Sequence, residues 1–98
     1  MKFVQIIECK TGDIDAFNRM LDDWLAKTEG IRTSTRAMQA RDRDAERTYV
    51  DIVEFPSYEA AMENSARPET AEFAAALAKL CDGAPSFRNL DVIREDEM

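Results

Sequence analysis

Hydrophobic and polar positions divide the chain into strand-like and helix-like stretches. Residues 47–55 (Arg-Thr-Tyr-Val-Asp-Ile-Val-Glu-Phe) form the clearest strand pattern, and residues 2–10 are also rich in β-branched and aromatic types. Residues 31–41 alternate without a helical period, and residues 86–94 form a last apolar run. The pattern therefore predicts four strands.

Two other stretches have the three- and four-residue spacing of helices. Asp13 precedes the first and can cap it, and Gly30 follows its predicted end near Glu29. Its apolar stripe consists of Ile14, Phe17, Leu21, Trp24, Leu25 and Thr28. Ser57 is a good cap for a short helix over residues 58–62, and Pro68 opens a second helical piece that ends at Gly83. The buried stripe of that piece is Phe73, Ala74, Leu77, Leu80 and Cys81.

The order β-α-β-β-α-β is typical of the ferredoxin-like α+β fold, in which both helices cover one face of a four-stranded antiparallel sheet. We expect one such domain over residues 1–98. Both faces of the central strand are apolar, with Tyr49 and Val53 on one side and Val50 and Ile52 on the other. Because the helices suffice for one face, we expect a second copy of the sheet to cover the other in a homodimer.

Composition narrows the possible functions. With 13 Lys and Arg against 20 Asp and Glu, the formal net charge is −7, which argues against nucleic acid and anionic membrane surfaces as partners. No apolar stretch of ~18 residues occurs, and no signal-peptide pattern precedes the first strand, so we expect a cytoplasmic protein. Cys9 and Cys81 lie far apart in the sequence, and we expect two reduced, buried thiols.

The chain contains no His, the usual neutral-pH base and a common metal ligand. This excludes Ser-His-Asp and Cys-His hydrolases and argues against His-held zinc or haem. The three Gly residues are isolated, so the sequence has no phosphate-binding loop. We therefore predict neither a cofactor nor a metal.

The segment Glu54-Phe55-Pro56-Ser57-Tyr58-Glu59-Ala60, followed by Asn64 and then Pro68-Glu69, resembles the signature of dimeric α/β-barrel proteins of the antibiotic-biosynthesis-monooxygenase type. The resemblance extends over nearly the whole chain in element order. In that family the position of Phe55 is often Trp and the position of Asn64 is often His, so this chain departs from the pattern at both.

The family includes cofactor-independent oxygenases, haem-degrading enzymes, proteins that handle signalling molecules and many proteins without an assigned role. Its haem-degrading branch holds iron through a helix-borne His, which this chain lacks. The resemblance therefore implies a cofactor-independent monooxygenase acting on a small aromatic or polyketide-like substrate. A non-catalytic ligand-binding or regulatory dimer is the alternative, and whether the protein is an enzyme stays open.

The candidate site residues are polar or aromatic side chains within these elements. Those with a predicted catalytic role are Asn64, Tyr49 and Trp24, and those predicted to bind the ligand are Arg36, Met38, Asp51 and Phe73.

Each candidate also has a purely structural interpretation. Asn64 either faces a pocket or caps the break before Pro68, and Trp24 either contacts a ligand or fills the core. Tyr49 and Asp51 share one face of the central strand, where they either deprotonate a phenol or form an interfacial or solvated pair.

On strand two, Arg36 and Met38 share a face. Arg36 either pairs with Asp51 or holds an anionic ligand. Met38 suits either an adaptable pocket or irregular core space.

Overall fold

A computed structural model describes residues 1–98 as a four-stranded sheet with three helices. The elements are β1 (Phe3–Lys10), α1 (Ile14–Lys27), β2 (Arg36–Arg41), β3 (Thr48–Phe55), α2 (Tyr58–Ser65), α3 (Pro68–Leu80) and β4 (Ser86–Asp91). The sheet is antiparallel with the strand order β2-β3-β1-β4. This confirms the predicted ferredoxin-like fold, with the second helical region divided into α2 and α3.

The predicted helix boundaries follow from local side-chain chemistry. The Asp13 carboxylate accepts a hydrogen bond from the Ala16 N–H at 2.9 Å, and the Ser57 hydroxyl oxygen accepts one from the Ala60 N–H at 3.1 Å. Pro68 occupies the first position of α3, where its missing N–H is not needed. Gly30 and Gly83 follow α1 and α3 with φ angles of 79° and 80°, in the left-handed region that glycine adopts easily.

The helices bury two separate hydrophobic clusters against one face of the sheet, which we call the inner face. One cluster joins α1 and α3 to β1 and consists of Ile7, Cys9, Phe17, Leu77 and Cys81. The other joins α2 to the opposite ends of β1 and β3 and consists of Phe3, Phe55 and Ala61. Because the helices concentrate at these two places, the middle of the inner face is less completely filled.

The other face of the sheet, the outer face, carries no helix. Its apolar side chains are Val4, Ile6, Met38, Ala40, Val50, Ile52 and Leu90. Met38 and Leu90 are 49% and 36% exposed, and the more central Ile6 and Ile52 are half-buried. This row of apolar residues on an unpartnered sheet is the feature from which we predicted a homodimer.

Strand β2 is shorter than predicted. It begins at Arg36, whereas the sequence pattern indicated a strand from Ile31. The N–H groups of Ile31 and Arg32 donate to the Thr28 carbonyl oxygen, and the Thr33 hydroxyl donates to the Ala60 carbonyl oxygen. These hydrogen bonds tie residues 31–33 to the helices, and contact with the sheet begins at Thr35, whose N–H donates to the Glu54 carbonyl oxygen.

The prediction of two reduced thiols is wrong, because Cys9 and Cys81 form a disulfide. Cys9 lies near the end of β1 and Cys81 directly follows α3, with their Cα atoms 5.6 Å apart. Their separation of 72 residues in the sequence hid this proximity, which arises only when α3 packs back onto β1. None of the helices is both long and apolar enough to cross a membrane.

Candidate functional site

A half-enclosed cavity of about 440 Å³ lies between the two hydrophobic clusters, over the middle of the inner face. Half of its 18 lining residues are hydrophobic, and the rest are polar or charged. Its walls come from α1, α2, α3, β1, β2, β3 and the segment that connects α1 to β2. This size and mixed lining are typical of sites for small organic molecules.

Asp51 is the carboxylate of this cavity. It lies in the middle of β3, paired with Ile7 of β1 on one side and Gln39 of β2 on the other, and its side chain is directed to the inner face. The residue is only 6% exposed, and its Oδ1 atom has no hydrogen-bond partner. Burial raises the pKa of Asp51 from 3.8 to about 6, and the neighbouring polar side chain of Gln39 partly opposes this increase. The carboxyl group therefore titrates close to neutral pH.

Asn64 contributes a second buried polar group from the last turn of α2. It is 6% exposed, and its Oδ1 atom also has no hydrogen-bond partner. Its burial and its place in the cavity wall favour a pocket-facing side chain. The Asn64 backbone carbonyl, in contrast, accepts a hydrogen bond from the N–H group of Arg67 at the end of the helix.

The aromatic wall is formed by Trp24 of α1 and Phe73 of α3, whose ring centroids are 6.4 Å apart. The Trp24 indole N–H donates to the Thr70 hydroxyl at 3.0 Å, which satisfies its only polar atom. The Trp24 indole N–H is therefore already paired within the protein, and Thr70 holds the ring in place.

Arg32 adds a cationic group to the wall. Its guanidinium lies 5.9 Å from the centroid of the Trp24 ring. Arg32 lies beyond the end of α1 and also donates to the Leu25 carbonyl oxygen, in the last turn of that helix, at 2.8 Å. These contacts fix the position of the charge beside the aromatic wall.

Of the predicted site residues, the structure brings Asn64, Trp24, Asp51 and Phe73 together in the cavity. Tyr49 shares the inner face with Asp51, as predicted, but it lies near the β2–β3 loop and borders a different depression.

Arg36 and Met38 share a face of β2, as predicted, and border the cavity from this edge strand. The register pairs Arg36 with Glu54 and Met38 with Ile52, which places both side chains on the outer face. The possible Arg36–Asp51 ion pair is therefore wrong, and Arg36 Nε instead lies 3.9 Å from the Glu54 carboxylate.

Three residues that line the cavity or hold its walls were not predicted from the sequence: Arg32, Gln39 and Thr70. Gln39 was recognisable in principle, because alternation along the β2–β3 hairpin places it on the same face as Asp51. Arg32 and Thr70 had no such signal, since their roles depend on how the loop and α3 pack against Trp24.

No group of three or more His, Cys, Asp or Glu side chains is placed to hold a metal ion. Apart from Asp51, the only charged residues of the cavity lining are Arg32 and Arg36. The chemistry that the cavity can supply is therefore hydrogen bonding, aromatic contact and exchange of one proton at Asp51.

Comparison with known proteins finds similarity at the level of structure. No protein-family model matches the sequence, and no curated protein matches it. The fold is similar to that of SnoaB, a cofactor-independent oxygenase from Streptomyces nogalater whose structure was solved as a mutant. The two structures align with a TM-score of 0.80 and 18% sequence identity, over 96% of this chain and 95% of that chain.

Two further solved structures show the same similarity. An antibiotic biosynthesis monooxygenase aligns with a TM-score of 0.73 and 16% identity over 96% of this chain and 100% of that chain. A dimeric ferredoxin-like protein of unknown function from Jannaschia aligns with a TM-score of 0.78 and 14% identity, covering 94% of this chain and 100% of that chain. At these identities the comparison concerns the fold, and this chain has the ferredoxin-like fold of antibiotic-biosynthesis-monooxygenase-type proteins.

Proposed function

We propose that the protein is a cofactor-independent monooxygenase that acts on a small aromatic or polyketide-like substrate bound in the cavity. The observation that carries this proposal is the combination of the Trp24 and Phe73 rings with the buried polar groups of Asp51 and Asn64 around one cavity of about 440 Å³. An aromatic ring fits between such walls, and the polar groups can orient its oxygen substituents.

In this reaction the substrate supplies the electrons and dioxygen is the oxidant. In its keto form a phenolic substrate carries a ring CH₂ group that is conjugated with the carbonyl, and this CH₂ becomes C=O. One oxygen atom of dioxygen enters the product, and the other leaves as water. The substrate loses four electrons and dioxygen gains four. The protein binds, orients and deprotonates the substrate, and the cavity limits access of water.

We also propose that the protein acts as a homodimer, with two outer faces packed against each other. The apolar row on the outer face supports this assembly, and one structure with the same fold is described as dimeric. The predicted cytoplasmic location has less support, because disulfides such as Cys9–Cys81 persist mainly in oxidising compartments.

Oxygen consumption tests the enzymatic proposal. Purified wild-type protein is mixed with a panel of phenolic, quinol and polycyclic aromatic compounds, without flavin and with a metal chelator present. We expect uptake of dioxygen with a related group of compounds. The Asn64→Ala variant should lose at least tenfold in rate, whereas Glu63→Ala, which alters an exposed residue of the same helix, should match the wild type.

A non-catalytic ligand-binding dimer is the second candidate. It is favoured by the absence of His from the chain and of a second carboxylate from the cavity lining, which leaves no acid–base pair. Thermal-shift measurements on the same panel distinguish the two. Stabilisation by a related group of compounds without oxygen uptake supports the binding protein and contradicts the enzyme.

A further inference from the structure

Two buried oxygen atoms in the cavity lack a hydrogen-bond donor. They are Oδ1 of Asp51 and Oδ1 of Asn64, which come from different elements, β3 and α2, but line the same space. A buried acceptor without a donor destabilises a fold, so native proteins rarely retain one without a partner. Both residues also line the cavity, so a ligand there lies next to the Asp51 carboxyl group and the Asn64 amide.

We propose that the Asp51 carboxylate binds the hydroxyl group of a phenol or quinol in this cavity and accepts its proton. The inference rests on the proposed function, and it identifies both the substrate group that is recognised and the proton acceptor. In the transfer, the phenolic O–H bond breaks, its electron pair remains on the ligand oxygen, and the proton binds a carboxylate oxygen of Asp51. Asn64 can hydrogen-bond to the same oxygen or to a neighbouring one, because its amide carries both a donor and an acceptor.

The surroundings of Asp51 favour a neutral hydroxyl over an ionic ligand group. An anionic group would be repelled by the carboxylate. An ammonium group would lose its hydration beside an aromatic wall that already carries the Arg32 guanidinium. A phenol carries no charge into the cavity, donates one hydrogen bond and places its ring against Trp24 and Phe73.

The cavity lining contains no second carboxylate and no His beside Asp51. The residues that line the cavity around it are uncharged on β1, α1, α2 and α3, where they include Ile7, Leu21, Asn64 and Phe73. Gln39 faces it from β2, and the other charged residues of the lining are Arg32 and Arg36. Because burial raises the pKa of Asp51 to about 6, the carboxylate is ionised at pH 7.5 and protonated at pH 5.

Calorimetric titration with 1-naphthol and 1-methoxynaphthalene tests the inference. The two compounds have similar rings, but only the naphthol has a hydroxyl donor. We expect wild-type protein at pH 7.5 to bind the naphthol at least tenfold more tightly. The affinity for naphthol should fall about tenfold between pH 7.5 and pH 5 as Asp51 becomes protonated, while that for the ether should stay constant.

The Asp51→Asn variant removes the charge and keeps the side-chain shape, and Glu63→Gln is the matched control at an exposed carboxylate. In Asp51→Asn the pH dependence of naphthol binding should disappear, and the preference for naphthol should fall at least fivefold. Titrations at pH 5.5 in two buffers with different ionisation heats should show proton release on naphthol binding to the wild type and to Glu63→Gln, and none to Asp51→Asn.

Two results would overturn the inference. If wild-type protein binds the naphthol and its ether equally, or if Asp51→Asn retains both the preference and the proton release, the cavity binds aromatic compounds but Asp51 is not the acceptor. In that case the proposed function still stands. If neither these compounds nor the wider panel binds to the wild type, the proposed function and this inference both fail.

Discussion

Asp51 is unfavourable for the stability of the fold but is the central residue of the proposed site. A carboxylate on the buried face of a central strand, with one oxygen unpartnered, is unfavourable for the fold in its charged form. An apolar residue there would extend the packing of Ile7 and Val53, which lie on the same face. A destabilising polar residue inside a ligand-sized cavity is a common feature of functional sites.

The pH dependence of stability should reveal that burial of the charged Asp51 carboxylate is unfavourable. Burial raises the pKa of folded Asp51 from 3.8 to about 6, so the folded protein binds this proton more tightly than the unfolded chain does. The resulting stabilisation is fully present below pH 3.8, decreases between pH 3.8 and about 6, and is absent above. We expect the free energy of unfolding of Asp51→Asn, relative to wild type, to rise by on the order of 2 kcal/mol between pH 3.5 and 7.

Urea denaturation at a series of pH values measures this difference. Subtracting the wild-type curve from that of the variant cancels the titration of the other carboxylates, which both proteins share. Glu63→Gln should show only a small change across the same range. A constant difference between Asp51→Asn and wild type from pH 3.5 to 7 would contradict the raised pKa.

At the scale of elements, helix starts and ends were predictable because they depend on residues a few positions apart. Asp13 and Ser57 cap α1 and α2 as expected, and Gly30 and Gly83 take left-handed φ angles after α1 and α3. The start of β2 was not predictable from the local pattern, because Thr33 hydrogen-bonds to α2. Contacts between elements decided that boundary.

The disulfide joins two elements, β1 and α3, and should contribute substantially to stability. It closes a long loop, since Cys9 and Cys81 are separated by 72 residues. We expect reduction with dithiothreitol to lower the free energy of unfolding by about 2–4 kcal/mol, because the unfolded chain gains conformational freedom. Denaturant titrations with and without the reductant measure this change.

A variant without the disulfide provides the control for this experiment. The Cys9→Ala/Cys81→Ala double variant should be less stable than the oxidised wild type and insensitive to dithiothreitol. Equal stability of oxidised and reduced wild-type protein would show that the covalent link does not constrain the unfolded chain. Labelling of both thiols in unreduced protein would show that the disulfide is absent.

For the whole molecule, the outer face of the sheet is the main apolar surface that no other part of the chain covers. Across β2, β3 and β1, Met38 pairs with Ile52 and Ile52 with Ile6, which forms a continuous apolar row. Alternation placed Val50 and Ile52 on one face of the central strand in the sequence analysis. The register adds Met38 and Ile6 to that face, and no helix of this chain covers them. A second copy of the same face is the occupant that we propose.

Substitution at the centre of this row tests the dimer. Ile52→Glu places a charge where two apolar faces would meet, so we expect light scattering at micromolar concentration to give the mass of a dimer for the wild type and of a monomer for the variant. Ala75→Glu, at an exposed position of α3, should remain dimeric. A monomeric wild-type protein would refute the assembly.

The sequence by itself determined the order of elements, the helix caps, the two apolar faces of the sheet and the absence of His chemistry. These properties depend on composition or on residues close in the chain, where local spacing and capping act. The tertiary structure alone decided which predicted residues meet. Asp51, Asn64 and Trp24 line one cavity, whereas Tyr49 borders a different depression. Arg36 lies beside Glu54, and Cys9 forms a disulfide with Cys81. These outcomes depend on strand register and on how helices pack over the sheet, because both bring together residues that are distant in the chain.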